Sequence, residues 1–197
     1  MFNLKNLFTR ALLALMLATG AGAASAGPIY QVTIDTRGMD GTGLLDFAFL
    51  GLESSGAATA YLSDFSGAFG AFGDFVLEGD ASGTRETGIV LGNGSGFNDY
   101  LQAVTLGDLF RFTVRFDVAP EGDGTTLGVA LYNDDLSAYL GVEGNLAQFD
   151  LMPGSAIVVS ADNPLTRVSE VPEPASMAVM MMGLMLLGWT LRQRRMR

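Results

Sequence analysis

The sequence contains no cysteine and no histidine, and no lysine after Lys5. An exported domain without cysteine has no disulfide to close its loops, so sheet and core must carry its stability. The absence of both residues excludes the usual ligand sets of zinc, haem and iron–sulfur centres. It also excludes Cys-His and Ser-His-Asp catalysis. The one tryptophan, Trp189, lies near the C-terminus. A tryptophan platform for sugar stacking is therefore absent from the rest of the chain.

Positive charge is scarce in the middle of the chain. Between residues 27 and 171, five arginines (Arg37, Arg85, Arg111, Arg115 and Arg167) stand against 20 Asp and Glu, a net of −15. Such a domain repels nucleic-acid phosphates and anionic membrane surfaces, which leaves cations as its ionic partners. No nucleic-acid partner is expected.

Both ends read as targeting segments. Lys5 and Arg10 form a positive n-region, and residues 11–18 form a short apolar core. Ala24 and Ala26 supply the small residues of a cleavage site. Residues 1–26 are thus expected to be a secretory signal peptide, cut to leave Gly27 as the new N-terminus. At the other end, residues 175–191 form 17 positions without a charge. At ~1.5 Å per residue they reach about 26 Å, enough to span a thin bilayer as a helix. Trp189 suits the far interface. The methionines at 177, 180, 181, 182 and 185 suit lipid-facing bulk better than a copper site. Arg192, Arg194, Arg195 and Arg197 follow as a stop-transfer cluster. Basic residues stay on the cytoplasmic side, so the acidic domain projects outward, in agreement with the N-terminal signal.

The C-terminal segment Val171-Pro172-Glu173-Pro174-Ala175-Ser176, the apolar stretch and the arginines resemble, in order and spacing, the PEP-CTERM sorting domain. Similar tails also carry the name of an ice-binding protein C-terminal domain. The resemblance covers residues 171–197. It implies a protein sorted by an exosortase, an integral-membrane cysteine protease that cuts near the motif. It further implies passage through the secretion machinery and transient anchoring in the inner membrane of a Gram-negative bacterium, with the domain in the periplasm. The destination is then the cell surface or the exopolysaccharide and biofilm matrix. The prolines favour an extended segment that a protease cleft can grip. Ice binding is not carried over, because Thr125-Thr126 is the only adjacent threonine pair and no Thr-x-Thr ladder is present.

About 145 residues lie between the signals, enough for one domain with a real core. Residues 109–118 alternate strictly: Phe110, Phe112, Val114, Phe116 and Val118 on one face, Arg111, Thr113, Arg115 and Asp117 on the other. Period two marks a half-buried strand. Residues 30–35 alternate likewise. Further strands are expected at 43–52, 58–65, 74–78, 100–106, 126–133, 147–151 and 156–160, separated by glycine-rich turns. Around nine strands without an amphipathic helix point to an all-β antiparallel β-sandwich of jelly-roll or lectin-like form. Residues 66–73 read as a loop with inward phenylalanines. The organisation expected is a signal peptide (1–26), a β-sandwich (27–163), a linker (164–171) and a sorting tail (172–197). The run Asn98-Asp99-Tyr100-Leu101-Gln102, then Leu106-Gly107-Asp108 and an aromatic strand, loosely resembles small exported β-domains that accompany such tails.

No motif singles out a catalytic pair, and no enzyme activity is expected. No cofactor is required, although calcium takes oxygen ligands that Asp-rich loops supply. Asp134 with Asp135, and Glu121 with Asp123, are the candidate clusters; the same residues also make turns. A glycan site would draw on Tyr61, Tyr100, Tyr132 and Tyr139, residues that also serve as packing at sheet edges. The function expected is a structural or adhesive surface module, with a carbohydrate-binding module, calcium-assisted or not, as the alternative.

Overall fold

The computed structural model describes residues 27–70, 74–171 and Leu184. The expected signal peptide, Pro172 to Ser176 of the sorting motif and the terminal arginines lie outside the described residues, as does all but Leu184 of the expected C-terminal span. No helix among the described residues is long and apolar enough to cross a membrane.

Residues 27–171 form two antiparallel six-stranded sheets. Sheet I contains β1 (Ile29–Asp35), β3 (Ala58–Ser66), β5 (Ala81–Thr84), β6 (Gly88–Gly92), β8 (Leu109–Val118) and β12 (Thr166–Val171). Its order is β12-β1-β8-β3-β6-β5. Sheet II contains β2 (Thr42–Gly51), β4 (Phe75–Glu78), β7 (Asp99–Thr105), β9 (Thr125–Tyr132), β10 (Asn145–Leu151) and β11 (Val158–Ser160). Its order is β11-β10-β9-β2-β7-β4. The chain crosses from sheet to sheet at most steps, so most ladders join residues far apart in sequence. The result is sandwich-like and all-β.

Alternation along each strand produces the core. Phe110, Phe112, Val114 and Phe116 of β8 are buried, as are Leu45, Phe47 and Phe49 of β2. Rings from the two sheets interlock: Phe47 meets Phe112 at 5.0 Å edge-on, and Phe149 meets Tyr30 and Phe116 at 5.4 Å each. Burying each such side chain contributes roughly 1.5–3 kcal/mol. This continuous core substitutes for the missing disulfides. In the loop after β3, Phe69 packs edge-on against Phe65 and Phe110, as expected; Phe72 lies outside the described residues.

Two differences from the sequence reading stand out. Residues 164–171 are not a free linker. Thr166 to Val171 form β12, paired with β1 from Ile29↔Val171 to Ile34↔Thr166. Thr166 is buried and Val168 packs against the core. An edge strand with only these inward contacts has the composition of a linker, yet it satisfies the backbone groups β1 would otherwise leave open. The second difference is the β5–β6 hairpin, which the sequence reading passes over. Its Ile89 and Leu91 are buried, and Thr84 and Thr87 hydrogen-bond across the turn. A three-residue apolar core flanked by glycines is too short to display a period.

Candidate functional site

The outer face of sheet II is where the alternation places polar chemistry in an apolar setting. On β2, Leu45, Phe47 and Phe49 point inward, so Asp46 points outward. On β7, Tyr100, Gln102 and Val104 point inward, so Asp99 points outward. Asp99 stands opposite Ala48 of β2 and Glu78 of β4; Asp46 stands opposite Leu101 of β7 and Ala130 of β9. The two aspartates are therefore diagonal neighbours on one face, with Glu78 beyond Asp99.

A cleft of about 310 Å³ lies over them. Val76, Leu101 and Leu136 form apolar walls, and Phe97 and Tyr132 supply aromatic ones. Tyr132 is paired with the exposed Tyr139 at 4.6 Å between ring centroids. Among these walls the two aspartates are half-buried. Burial pushes Asp46 up to about 6. Burial also pushes Asp99 up to about 7, joined by the negative charges of Asp46 and Glu78. Oδ1 of Asp46 and Oδ1 of Asp99 are both buried without a hydrogen-bond partner. An unsatisfied buried polar atom costs about 1–3 kcal/mol. No arginine offsets this charge from within the face. Arg111, Arg115 and Arg167 stand on the outer face of sheet I, where Arg115 pairs with Asp117 and covers the Tyr61 ring at 4.1 Å.

The end of the cleft is held by Asn98, which is fully buried. Its Oδ1 accepts from the Asp80 backbone N–H at 2.7 Å, and its Nδ2 donates to the carbonyls of Phe49 and Ser95. One side chain thereby joins the β4–β5 turn, the end of β2 and the β6–β7 loop. Tyr100 donates to Gln102 Oε1 at 2.6 Å in the core below, and Gln102 donates to the carbonyls of Asp74 and Ala103. The floor of the cleft is thus rigid and polar-satisfied, whereas the two aspartate oxygens above it are not.

The residues singled out from sequence disperse. Glu121 and Asp123 precede β9, while Asp134 and Asp135 follow it, so the two clusters sit at opposite ends of an eight-residue strand. That separates them by roughly 25 Å. Asp123 accepts from Ser54 Oγ, Asp134 from Thr42 Oγ1, and Asp135 from the amide and hydroxyl of Ser137. Those Ser137 hydrogen bonds lower the Asp135 pKa. Among the described residues, no group of three or more carboxylates is arranged to hold a metal ion. Of the four tyrosines named from sequence, Tyr100 is core, Tyr61 stacks under Arg115 on sheet I, Tyr132 lines the cleft, and Tyr139 packs against Tyr132. The sequence gives Asp46 no role, and Asp99 stands out only inside the Asn98–Gln102 run, with no chemistry attached to it. The available signal was the outer face of β2, where Leu44, Ala48 and Leu50 surround Asp46 with apolar neighbours. A solvated outer face would be polar throughout.

The fold is a sandwich-like all-β domain whose sheet II carries a carboxylate-lined cleft on its outer face. The tail supplies the identification: residues 170–195 match the family described as the PEP-CTERM protein-sorting motif. The chain is accordingly an exported, exosortase-sorted protein. No curated protein and no solved structure matches the chain. The matched motif begins at Glu170, inside β12, so the sorting signal starts on the fold itself.

Proposed function

We propose that this protein is a non-enzymatic adhesive module of the cell surface, which holds extracellular polysaccharide in the cleft on sheet II. The observation that carries this reading is the pair of desolvated, unpartnered oxygens on Asp46 and Asp99 beside aromatic walls. Sugar hydroxyls donate to carboxylates in charge-assisted hydrogen bonds. The apolar C–H faces of a sugar ring stack on Tyr132 and Phe97. Such a ligand satisfies the aspartate oxygens and covers the apolar walls together. A polyanion is disfavoured by the same carboxylates, so the polysaccharide is neutral or carries amino groups. The two crossing six-stranded sheets support a jelly-roll, lectin-like version of the sandwich, and the sorting motif supports delivery to the exopolysaccharide and biofilm matrix.

Binding is favoured over hydrolysis because both aspartates are displaced upward by the same cause. Acid–base pairs are built by environments that push two pKa values apart. The test is titration of the protein with neutral and amino-sugar polysaccharides, with and without chelator. Saturable binding that falls at least tenfold in Tyr132→Ala, with circular dichroism unchanged, is expected. Absence of binding to every matrix polysaccharide, or release of reducing ends, contradicts the proposal. Loss of binding in chelator alone assigns a calcium ion to the complex.

A further inference from the structure

Ile29 and Val171 are cross-strand partners, so the domain's first and last strands meet at one end of sheet I. The same end of sheet II carries the connections β2–β3, β4–β5, β6–β7, β8–β9 and β10–β11. The β2–β3 and β8–β9 connections meet there at the Ser55↔Asp123 bridge, and Ala58 N–H donates to Asn93 Oδ1 of the β6–β7 connection. Most large apolar side chains exposed on the described domain fall in two places. Val76, Leu136 and Tyr139 belong to the cleft and its rim; Phe97, itself a wall of the cleft, stands with Leu50, Leu52, Met152, Val158 and Val171 toward the end where the chain leaves.

Register sets Leu50 and Val158 in one row across sheet II, with Thr126 and Asp150 between them. Phe97 precedes Asn98, whose carbonyl accepts from the Phe49 amide, which places Phe97 beside Leu50. Leu52, 67% exposed, begins a turn whose Ser55 hydroxyl donates to the Gly124 carbonyl, and the Met152 sulfur lies against Gly124.

We infer that this apolar end rests on the bilayer surface through which the protein's own C-terminal segment passes, for as long as the tail is attached. The inference rests on reading residues 175–191 as a membrane span. β12 is hydrogen-bonded through Val171, and the uncharged stretch begins at Ala175. Four extended residues reach at most about 14 Å. The end bearing Val171 is thus held against the headgroups, at an effective concentration that a free domain never experiences. Exposed Leu, Phe and Met side chains partition into such an interface.

Glu53, Glu78, Asp80, Asp117, Glu121, Asp123 and Glu170 are exposed at the same end. They keep the contact shallow and oppose an anionic surface. The contact therefore depends on the tether. Once the sorting cut removes the tail, the acidic end leaves the membrane and the cleft-bearing domain is free to join the matrix.

The absence of cysteine and the single tryptophan make a clean test. The full chain is reconstituted in zwitterionic phosphatidylcholine vesicles. Fluorophores are placed at Leu52→Cys or Met152→Cys and, as the far-end control, at Glu143→Cys, and are challenged with lipid-borne quenchers. Trp189 emission reports the tail. Quenching at 52 and 152 at least threefold stronger than at 143, lost when the chain ends at Val171 and weakened by anionic lipid, is the expected result. Equal quenching at 52 and 143 while Trp189 is quenched overturns the inference and leaves the anchoring reading intact. An unquenched Trp189 overturns both.

Discussion

Ile29 lies directly opposite Val171 in the β1–β12 ladder, so the segment that carries the sorting motif is also the edge strand that closes sheet I. The first described strand begins three residues after the expected signal cleavage, and the last described strand ends where the Pro-Glu-Pro motif begins.

Residues 27–171 are accordingly expected to unfold as one cooperative unit. A chain ending at Asn163 loses β12, the Leu165 and Val168 packing and the outer partner of β1. A loss on the order of 2–4 kcal/mol is expected. Urea unfolding of the two fragments measures it, and equal midpoints would restore the linker reading.

Stability is expected to depend on pH in the sense set by the cleft. The folded-state pKa values of Asp46 and Asp99, about 6 and about 7, lie above the ordinary value of 3.8. Between about pH 4 and 7 the unfolded chain binds fewer protons than the folded one, so stability from these groups is full below pH 4 and falls as pH rises. Asp46→Asn and Asp99→Asn should each raise stability at pH 8, on the order of 1 kcal/mol after solvent screening, and flatten the pH profile. Thermal melts from pH 4 to 8 check this. The same substitutions should weaken polysaccharide binding, as expected where a functional site is carried at a cost in stability.

Asn98→Ala removes three side-chain hydrogen bonds from a buried position and leaves the Asp80 amide and two carbonyls without those partners. A loss of about 2–3 kcal/mol is expected, together with loosening of the cleft. Denaturant unfolding and amide exchange at Asp80 report the two effects separately.

Removal of residues 172–197 is expected to abolish maturation and surface retention in a strain with an exosortase, because the sorting motif occupies residues 170–195. Cell fractionation and intact mass decide it. Unchanged localisation and size would contradict the sorting assignment.

The sequence displays the fold wherever apolar residues alternate for six positions or more. Leu109–Val118 and Ile29–Asp35 are visible for that reason, and each half-buried face repeats its pattern in the structure. Thr166–Val171 is hidden because an edge strand with one buried and one half-buried inward residue has no apolar period to show. The sorting signal is legible because its chemistry is local: two prolines, an uncharged run and arginines in sequence order. The cleft is not, because Asp46, Glu78, Asp99 and Tyr132 come from four strands, and only the sheet order brings them together. The acid clusters that local spacing favoured, Glu121 with Asp123 and Asp134 with Asp135, end on opposite sides of β9.

Polysaccharide in the sheet II cleft has a defined footprint. The most direct measurement is backbone amide NMR of the isotope-labelled protein during titration with the matrix polysaccharide of cells that sort it. Perturbations confined to Asp46, Glu78, Phe97, Asp99, Leu101 and Tyr132 are predicted, with the Arg111, Arg115 and Arg167 face of sheet I unmoved. Perturbations on sheet I alone, or none at saturating polysaccharide, would contradict it.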